Sequence, residues 1–273
     1  MEIWTIANQK GGVGKTTTAV NLGGLLAESG HRVLIIDLDP HGSMTSYFGF
    51  DPDTIDESVY DLFHNDVHQQ HSPLASLLCH TPVSGMDLLP ACSALVSLDR
   101  QIANRDGMGL VLRNALKKYD NYYRHVLIDC PPTLGILMIN ALAACHKLII
   151  PVQTEHLALK GLDRMLNTLK MIIMSGKHSL DYLVVPTMYD CRTRASRDAL
   201  ATLQQDYPDH LWQDYIPVDT RLRDCSRIGR AAHQVYPESR GVQAYTRLLQ
   251  ALLPVEHNIT TVTEGLRCQN PAG

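Results

Sequence analysis

Residues 10–18 read Lys-Gly-Gly-Val-Gly-Lys-Thr-Thr-Thr, preceded by the apolar run Ile3-Trp4-Thr5-Ile6-Ala7 and followed by Leu22, Leu25 and Leu26 at helical spacing. A glycine-rich turn between those two patterns sits where a strand hands over to a helix, and that junction is built to bind phosphate. Gly11, Gly12 and Gly14 let backbone N–H groups converge on an anion, the helix N-terminus adds partial positive charge, and Lys15 supplies a full one. Thr16 is placed to hold Mg²⁺ directly through its hydroxyl, and Lys10, Val13 and Thr17 complete the expected nucleotide-binding stretch.

Along the rest of the chain, short apolar runs alternate with longer helix-like patterns, which predicts an α/β fold: a mostly parallel, twisted sheet of seven or eight strands flanked by helices. Strands are expected at 3–7, 32–37, 86–90, 125–129, 147–151, 182–186 and 212–216, and helices at 16–28, 109–119, 136–145, 158–174, 195–207 and 241–253. The stretch 64–84 is the least regular. One domain is expected over 1–253, with 254–273 a polar, disordered tail.

A net charge of -4 excludes an all-over nucleic-acid-binding surface, so any such site must be a local patch. Cys79, Cys92, Cys130, Cys145, Cys191, Cys225 and Cys268 are scattered without a C-x-x-C pair and read as reduced thiols of a cytoplasmic protein. No signal-peptide pattern opens the chain and no apolar run reaches the roughly 20 residues that cross a bilayer, so integral membrane association is not expected. With the first strand beginning at residue 3, an added helix-turn-helix domain is not expected either, and the tail lacks the basic amphipathic pattern of a membrane-surface helix.

Two acidic elements extend the phosphate site. The second apolar run ends in Asp37-Leu38-Asp39-Pro40, with both carboxylates at the edge of a parallel strand where ligands bind. In isolation the pair reads equally well as a strand end in solvent. Val126-Leu127-Ile128-Asp129-Cys130-Pro131-Pro132 closes another buried strand on one carboxylate, the pattern of a Walker B aspartate that serves Mg²⁺ through water. Cys130 has no paired histidine and reads as an inert buried thiol. His64, His68 and His71 would share one face if helical and could then hold a metal, whereas Pro73 and the adjacent glutamines suggest a polar loop.

The phosphate loop departs from the standard pattern, which requires Gly where this chain has Gln9, and it carries Lys10 directly before the Gly-Gly pair. Together with Asp37-Leu38-Asp39-Pro40, that arrangement resembles the deviant Walker A family that includes the ParA and MinD ATPases. The likeness runs to about residue 250, through Pro151-Val152-Gln153-Thr154-Glu155, Pro186-Thr187-Met188-Tyr189-Asp190, Ile216-Pro217-Val218-Asp219-Thr220-Arg221-Leu222 and Ser239-Arg240-Gly241. The resemblance implies a P-loop NTPase using ATP and Mg²⁺, with Lys10, Lys15 and Asp39 catalytic. It further implies that Lys10 reaches the partner's nucleotide in an ATP sandwich homodimer, that Asp39 orients or activates the attacking water, and that Asp37 reaches Mg²⁺ through water. Met188 and Pro217 would help enclose the adenine. Many relatives carry Gln where His41 stands, and no catalytic role falls to His41.

Arg192 and Arg221 match positions that contact DNA non-specifically in ParA-type dimers, and Arg223 and Arg227 could join them by helical spacing. The same region carries as many aspartates (190, 198, 206, 209, 214, 219 and 224) as arginines (192, 194, 197, 221, 223, 227 and 230), so a solvated mixed-charge surface is the competing reading. Asp39-Pro40-His41, Met108-Gly109-Leu110 and Arg192-Thr193-Arg194-Ala195-Ser196 look most like the ParC branch, which positions chemotaxis arrays at a cell pole. Its partner would then be a polar landmark or array protein. Chromosome or plasmid partition on the nucleoid with a ParB-type activator, and MinD-like membrane positioning, are the alternatives. A nitrogenase-type iron protein would need cluster-ligating cysteines, and a cobyrinic-acid amidating synthase a glutaminase domain for which this chain looks too short.

Overall fold

The computed structural model describes residues 1–67, 73–102, 107–174 and 180–253. In chain order the elements are β1 (Glu2–Ile6), α1 (Lys15–Glu28), β2 (Val33–Asp37), α2 (Ser43–Tyr47), α3 (Val59–Val67), β3 (Cys79–His80), β4 (Met86–Leu89), α4 (Leu95–Ile102) and α5 (Val111–Lys117). They continue with β5 (His125–Asp129), α6 (Ile136–Ala144), β6 (Lys147–Gln153), α7 (His156–Met174), β7 (Asp181–Thr187), α8 (Arg194–Asp206), α9 (Thr220–Ile228), α10 (Ala232–Val235) and α11 (Arg240–Leu252).

The strands form one seven-stranded sheet in the order β3-β4-β2-β5-β1-β6-β7, parallel except for the short β3 at its edge. Because β2, β5 and most of β1 are buried on both faces, their sequences read as continuous apolar runs instead of alternating ones. Period-2 geometry then sorts the side chains: Ile3, Leu34, Ile36, Val126 and Ile128 pack on one face, and Trp4, Ile6, Val33, Ile35 and Leu127 on the other. Apolar side chains of α3, α5, α6 and α7 cover the first face, while α1, α2, α9 and α11 cover the second. The α/β expectation holds, and the sheet has seven strands.

Two local expectations change. The segment 212–216 forms no ladder; isolated bridges flank it, Val184–Leu211 on one side and Tyr189–Pro217 on the other. Its backbone still bonds across, from Trp212 N to Val184 O (2.9 Å) and Ile216 N to Pro186 O (2.8 Å), but Tyr215 N turns to the side chain of Asp214 instead (2.8 Å). The stretch 64–84, read as irregular, takes in the last residues of α3, a helix entered from Ser58, whose backbone N donates to Asp61 Oδ2 (2.9 Å), and the edge strand β3.

Register brings the ligand-side carboxylates together. Asp37 pairs with Asp129 between β2 and β5, and Ile6 of β1 pairs with Asp129 on its other side. The turn after β1 is thus held over both carboxylates at the carboxyl edge of the sheet.

Candidate nucleotide site

The turn from β1 to α1 forms the phosphate cradle. Gly12 (φ 73°) and Gly14 (φ 91°) adopt left-handed conformations that strain any residue with a Cβ. A Cβ built on Gly11, Gly12 or Gly14 would meet nothing within 4 Å, so the loop faces open space. Asn8 braces it, accepting from Lys10 N (2.9 Å) and donating to Pro151 O (2.8 Å), while Thr187 Oγ1 donates to Val13 O (2.9 Å). Lys15 is buried, with Nζ 3.4 Å from Lys10 O, and no acidic side chain opposes it in the first turn of α1.

Across the cradle lie the two fully buried aspartates. Asp37 accepts from Asp39 N (3.1 Å), Met44 N (3.1 Å), Thr45 N (2.9 Å) and Thr45 Oγ1 (2.8 Å). Burial pushes its carboxyl up to about 6, and the Thr45 bonds hold it from going further. Among the described residues the carboxylate of Asp129 accepts only from Thr16 Oγ1, at 2.6 Å, through Oδ2. Its Oδ1 is buried with no hydrogen-bond partner among the described residues. Burial, and then the charge of Asp37, push Asp129 up to about 8. A buried, unsatisfied carboxylate oxygen beside a threonine hydroxyl and a lysine fits a divalent cation carried in with a polyphosphate. Among the described residues no three His, Cys, Asp or Glu side chains form a cage, so such an ion would depend on Thr16, water and phosphate oxygens.

Asp39 sits at the cleft wall, and its Oδ1 accepts from His41 N (3.1 Å) and contacts His41 Nδ1 (2.9 Å). His41 therefore lies against Asp39, a relationship the sequence did not signal. Lys10 points away from the cradle: its ammonium is hydrogen-bonded to the Glu155 carboxylate and to Gln153 Oε1 (3.1 Å). Met188 takes φ 53°, rare for a residue with a long side chain, and lines the same cleft as Pro217. Thr154 braces the turn at Met188, with Oγ1 2.5 Å from Ser196 Oγ and 3.4 Å from Met188 O.

The resulting cleft has a volume of about 1080 Å³ and joins the cradle to the Met188–Pro217 rim. It is also walled by Ser43, Ser46, Tyr47, Arg223, Ser226 and Tyr245, none of which carries a motif that names it in the sequence. Tyr245 is fixed by its hydroxyl to Thr18 Oγ1 (3.0 Å), and only the apolar spacing of α11 hinted that it would face inward.

The arginine-rich region is divided among several settings. Arg192 bonds Asp190 through Nε (2.9 Å) and Nη2 (2.7 Å), and Arg221 lies 5.7 Å from the Tyr236 ring centroid. Arg223 lines the cleft, and Arg227 is exposed on the same helix. His64 stacks on Tyr60 in α3, whereas His68 and His71 lie outside the described residues, as do Cys268 and the stretch 254–273. The described cysteines are free thiols, and burial drives Cys130 well above the usual thiol range. Among the described residues no helix is long and apolar enough to cross a membrane.

A glycine cradle at a strand–helix junction, a buried lysine and an acidic pair on adjacent strands together define a P-loop nucleotide-binding protein. The chain matches the AAA domain family over residues 1–182. It is 36% identical over 251 residues to the sporulation initiation inhibitor protein Soj of Bacillus subtilis, covering 90% of this chain and 96% of that protein. It is 39% identical over 249 residues to the chromosome-partitioning ATPase Soj of Thermus thermophilus, covering 91% and 94%. A solved structure described as cobyrinic acid a,c-diamide synthase from Mycobacterium smegmatis, with an ATP analogue and magnesium bound, superposes with a TM-score of 0.79 at 35% identity, covering 92% of this chain and 94% of that one. The chain belongs to the ParA/MinD family of deviant Walker A ATPases. Length does not separate it from the synthase of that description, since the two chains are nearly coextensive, and the expectation that it would is corrected. Among the described residues no cysteine lines the cleft to act as the thiol nucleophile that glutamine hydrolysis would need.

Proposed function

We propose that this protein is an ATP-hydrolysing switch that positions a cellular cargo. The observation that carries the reading is the bond from half-buried Thr16 to buried Asp129, 2.6 Å long, with the unsatisfied Asp129 Oδ1 beneath an open glycine cradle. Lys15 and the cradle N–H groups take the β/γ-phosphate charge, and Thr16, Asp37 and Asp129 are the residues that would hold Mg²⁺. When bound, that ion neutralises charge developing on the transferred phosphoryl group. Asp39, at the cleft wall, orients the attacking water. Met188 and Pro217 enclose the adenine. Lys10, held outside its own cradle, is free to serve the nucleotide of a second copy once Glu155 releases it, so ATP acts as a dimerising ligand.

The cargo reading rests on Asp39-Pro40-His41, Met108-Gly109-Leu110 and Arg192-Thr193-Arg194-Ala195-Ser196, which favour polar chemotaxis arrays and a polar landmark partner. The likeness to Soj proteins of two bacteria favours chromosome partition, with non-specific DNA and a ParB-type activator, as the second reading. A fluorescent fusion followed in cells beside Lys15→Ala and Asp39→Ala variants separates them. Polar foci moving with receptor arrays are expected, and nucleoid patterns tracking a chromosomal locus would select partition instead. In vitro both variants should lose ATP hydrolysis; unchanged phosphate release in Lys15→Ala would sink the ATPase assignment to this site.

A further inference from the structure

Arg223 lines the nucleotide cleft, and among the described residues it and Lys15 are the two Lys or Arg residues that do so. Among the described residues its guanidinium has no hydrogen-bond or ion-pair partner; the recorded contact is with its backbone O, which accepts from Ser226 Oγ (2.7 Å). Arg192, Arg194, Arg197 and Arg221 are by contrast engaged with Asp190, Asp198, Cys191 O and the Tyr236 ring. On α9 Arg221 and Arg223 are about 200° apart around the axis, so they cannot share a surface. Leu222, Arg223 and Ser226 make up the stripe of α9 that faces the cleft.

The course of α9 locates Arg223 within the cleft. The helix starts at the apolar rim, where Asp219 caps it by accepting from Arg221 N (3.0 Å) beside Ile216, Pro217 and Val218. It ends against α2, where Tyr47 donates its hydroxyl to Arg230 O (2.9 Å). Arg223 and Ser226 therefore stand between the apolar rim and the hydroxyl-bearing wall of Ser43 and Ser46. The rim suits a base. The polar wall suits the charged end of a nucleotide, where a metal-bound polyphosphate leaves more negative charge than Lys15 alone neutralises.

We propose that Arg223 is a nucleotide-contacting residue, its guanidinium bonding the phosphate portion of the nucleotide, and not part of a DNA face. The inference rests on the nucleotide reading of this cleft. Its test is calorimetric titration of Mg-ATP, Mg-ADP and adenosine into the unaltered protein, Arg223→Ala, Arg223→Lys and Arg221→Ala, each checked for an unchanged melting temperature. Arg223→Ala should bind ATP and ADP about tenfold more weakly with adenosine unchanged, Arg223→Lys should recover part of the loss, and Arg221→Ala should bind like the unaltered protein. ATP affinity unchanged in Arg223→Ala overturns the inference, and so does an equal loss for adenosine, which would place the contact on the base. If the unaltered protein itself fails to bind Mg-ATP, the nucleotide reading falls first and takes this inference with it.

Discussion

The ammonium of Lys10 is bonded to the carboxylate of Glu155 in its own chain, at the point where β6 gives way to α7, so the lysine that distinguishes this phosphate loop is turned away from it. Both partners are partly solvent-exposed, at 29% and 39%, and a pair of that kind contributes no more than about 1 kcal/mol to stability. Glu155→Gln should leave the melting temperature almost unchanged while releasing Lys10. If Lys10 serves the second nucleotide of a dimer, ATP-dependent dimerisation in Glu155→Gln should occur at several-fold lower protein concentration, read by light scattering. Lys10→Ala should stay monomeric while still binding ATP, and a dimer formed by that variant with ATP would rule out the trans role.

Asp37 and Asp129 face each other in register, and both are protonated at higher pH when folded, about 6 and about 8, than in the unfolded chain. The folded state therefore holds protons that the unfolded state has already lost, and stability falls as pH rises through those values. In chelator, the unaltered protein should lose stability between pH 6 and 8.5, with Asp129→Asn markedly flatter over the same window. Adding Mg-ATP should flatten the unaltered protein in the same way, because a cation at Asp129 favours its ionised form. Identical slopes for the two proteins in chelator would show that Asp129 does not titrate there.

The phosphate half of this site was legible because its chemistry is local: three glycines, a lysine and a threonine fall within a single turn, and each acidic motif ends a buried strand. The pairing of Asp37 with Asp129 was not legible, since β5 inserts between β2 and β1 only through sheet order. Ser226 and Tyr47 were invisible as site residues, and Arg223 was read as a DNA contact and not a cleft residue, for a related reason. They reach the cleft through the docking of α9 on α2, which leaves no spacing in the sequence. The segment 212–216 misled because it does bond to β7, from Trp212 N and Ile216 N, but a four-residue step there meets the two-residue step from Val184 to Pro186, so no continuous ladder forms. For His64, His68 and His71, only His64 falls among described residues.

His125 opens β5 with its ring stacked on His31 at 4.9 Å, and neither of its ring nitrogens has a hydrogen-bond partner among the described residues. Burial first, and then the charge of His31, pull it down to about 4. The unfolded chain thus takes up a proton near pH 6.5 that the folded chain refuses, and stability is lost as pH falls from 6.5 toward 4. One such group gives a slope approaching about 1.4 kcal/mol per pH unit. His125→Phe keeps the ring and removes the proton site, so denaturant unfolding at pH 5 should find it more stable relative to the unaltered protein than at pH 7.5. An equal difference at both values would assign the acid limb to other groups.

Met188 carries the positive φ that a long side chain avoids, and it does so at the rim of the cleft, where Thr154 and Ser196 hold the turn from beneath. A non-glycine residue in that conformation costs about 1 kcal/mol, and the side chain is 38% exposed, so it returns little through burial. Met188→Gly should then leave stability unchanged or slightly raised, since relief of the strain is offset by the greater chain entropy of glycine when unfolded. If Met188 encloses the base as proposed, nucleotide affinity should move the other way: Mg-ATP and adenosine should both weaken several-fold, in contrast to the phosphate-selective loss expected at Arg223. Parallel melting curves and titrations read the two effects separately. A variant that loses stability by more than about 2 kcal/mol would mean that Met188 is held there for packing and not for its ligand.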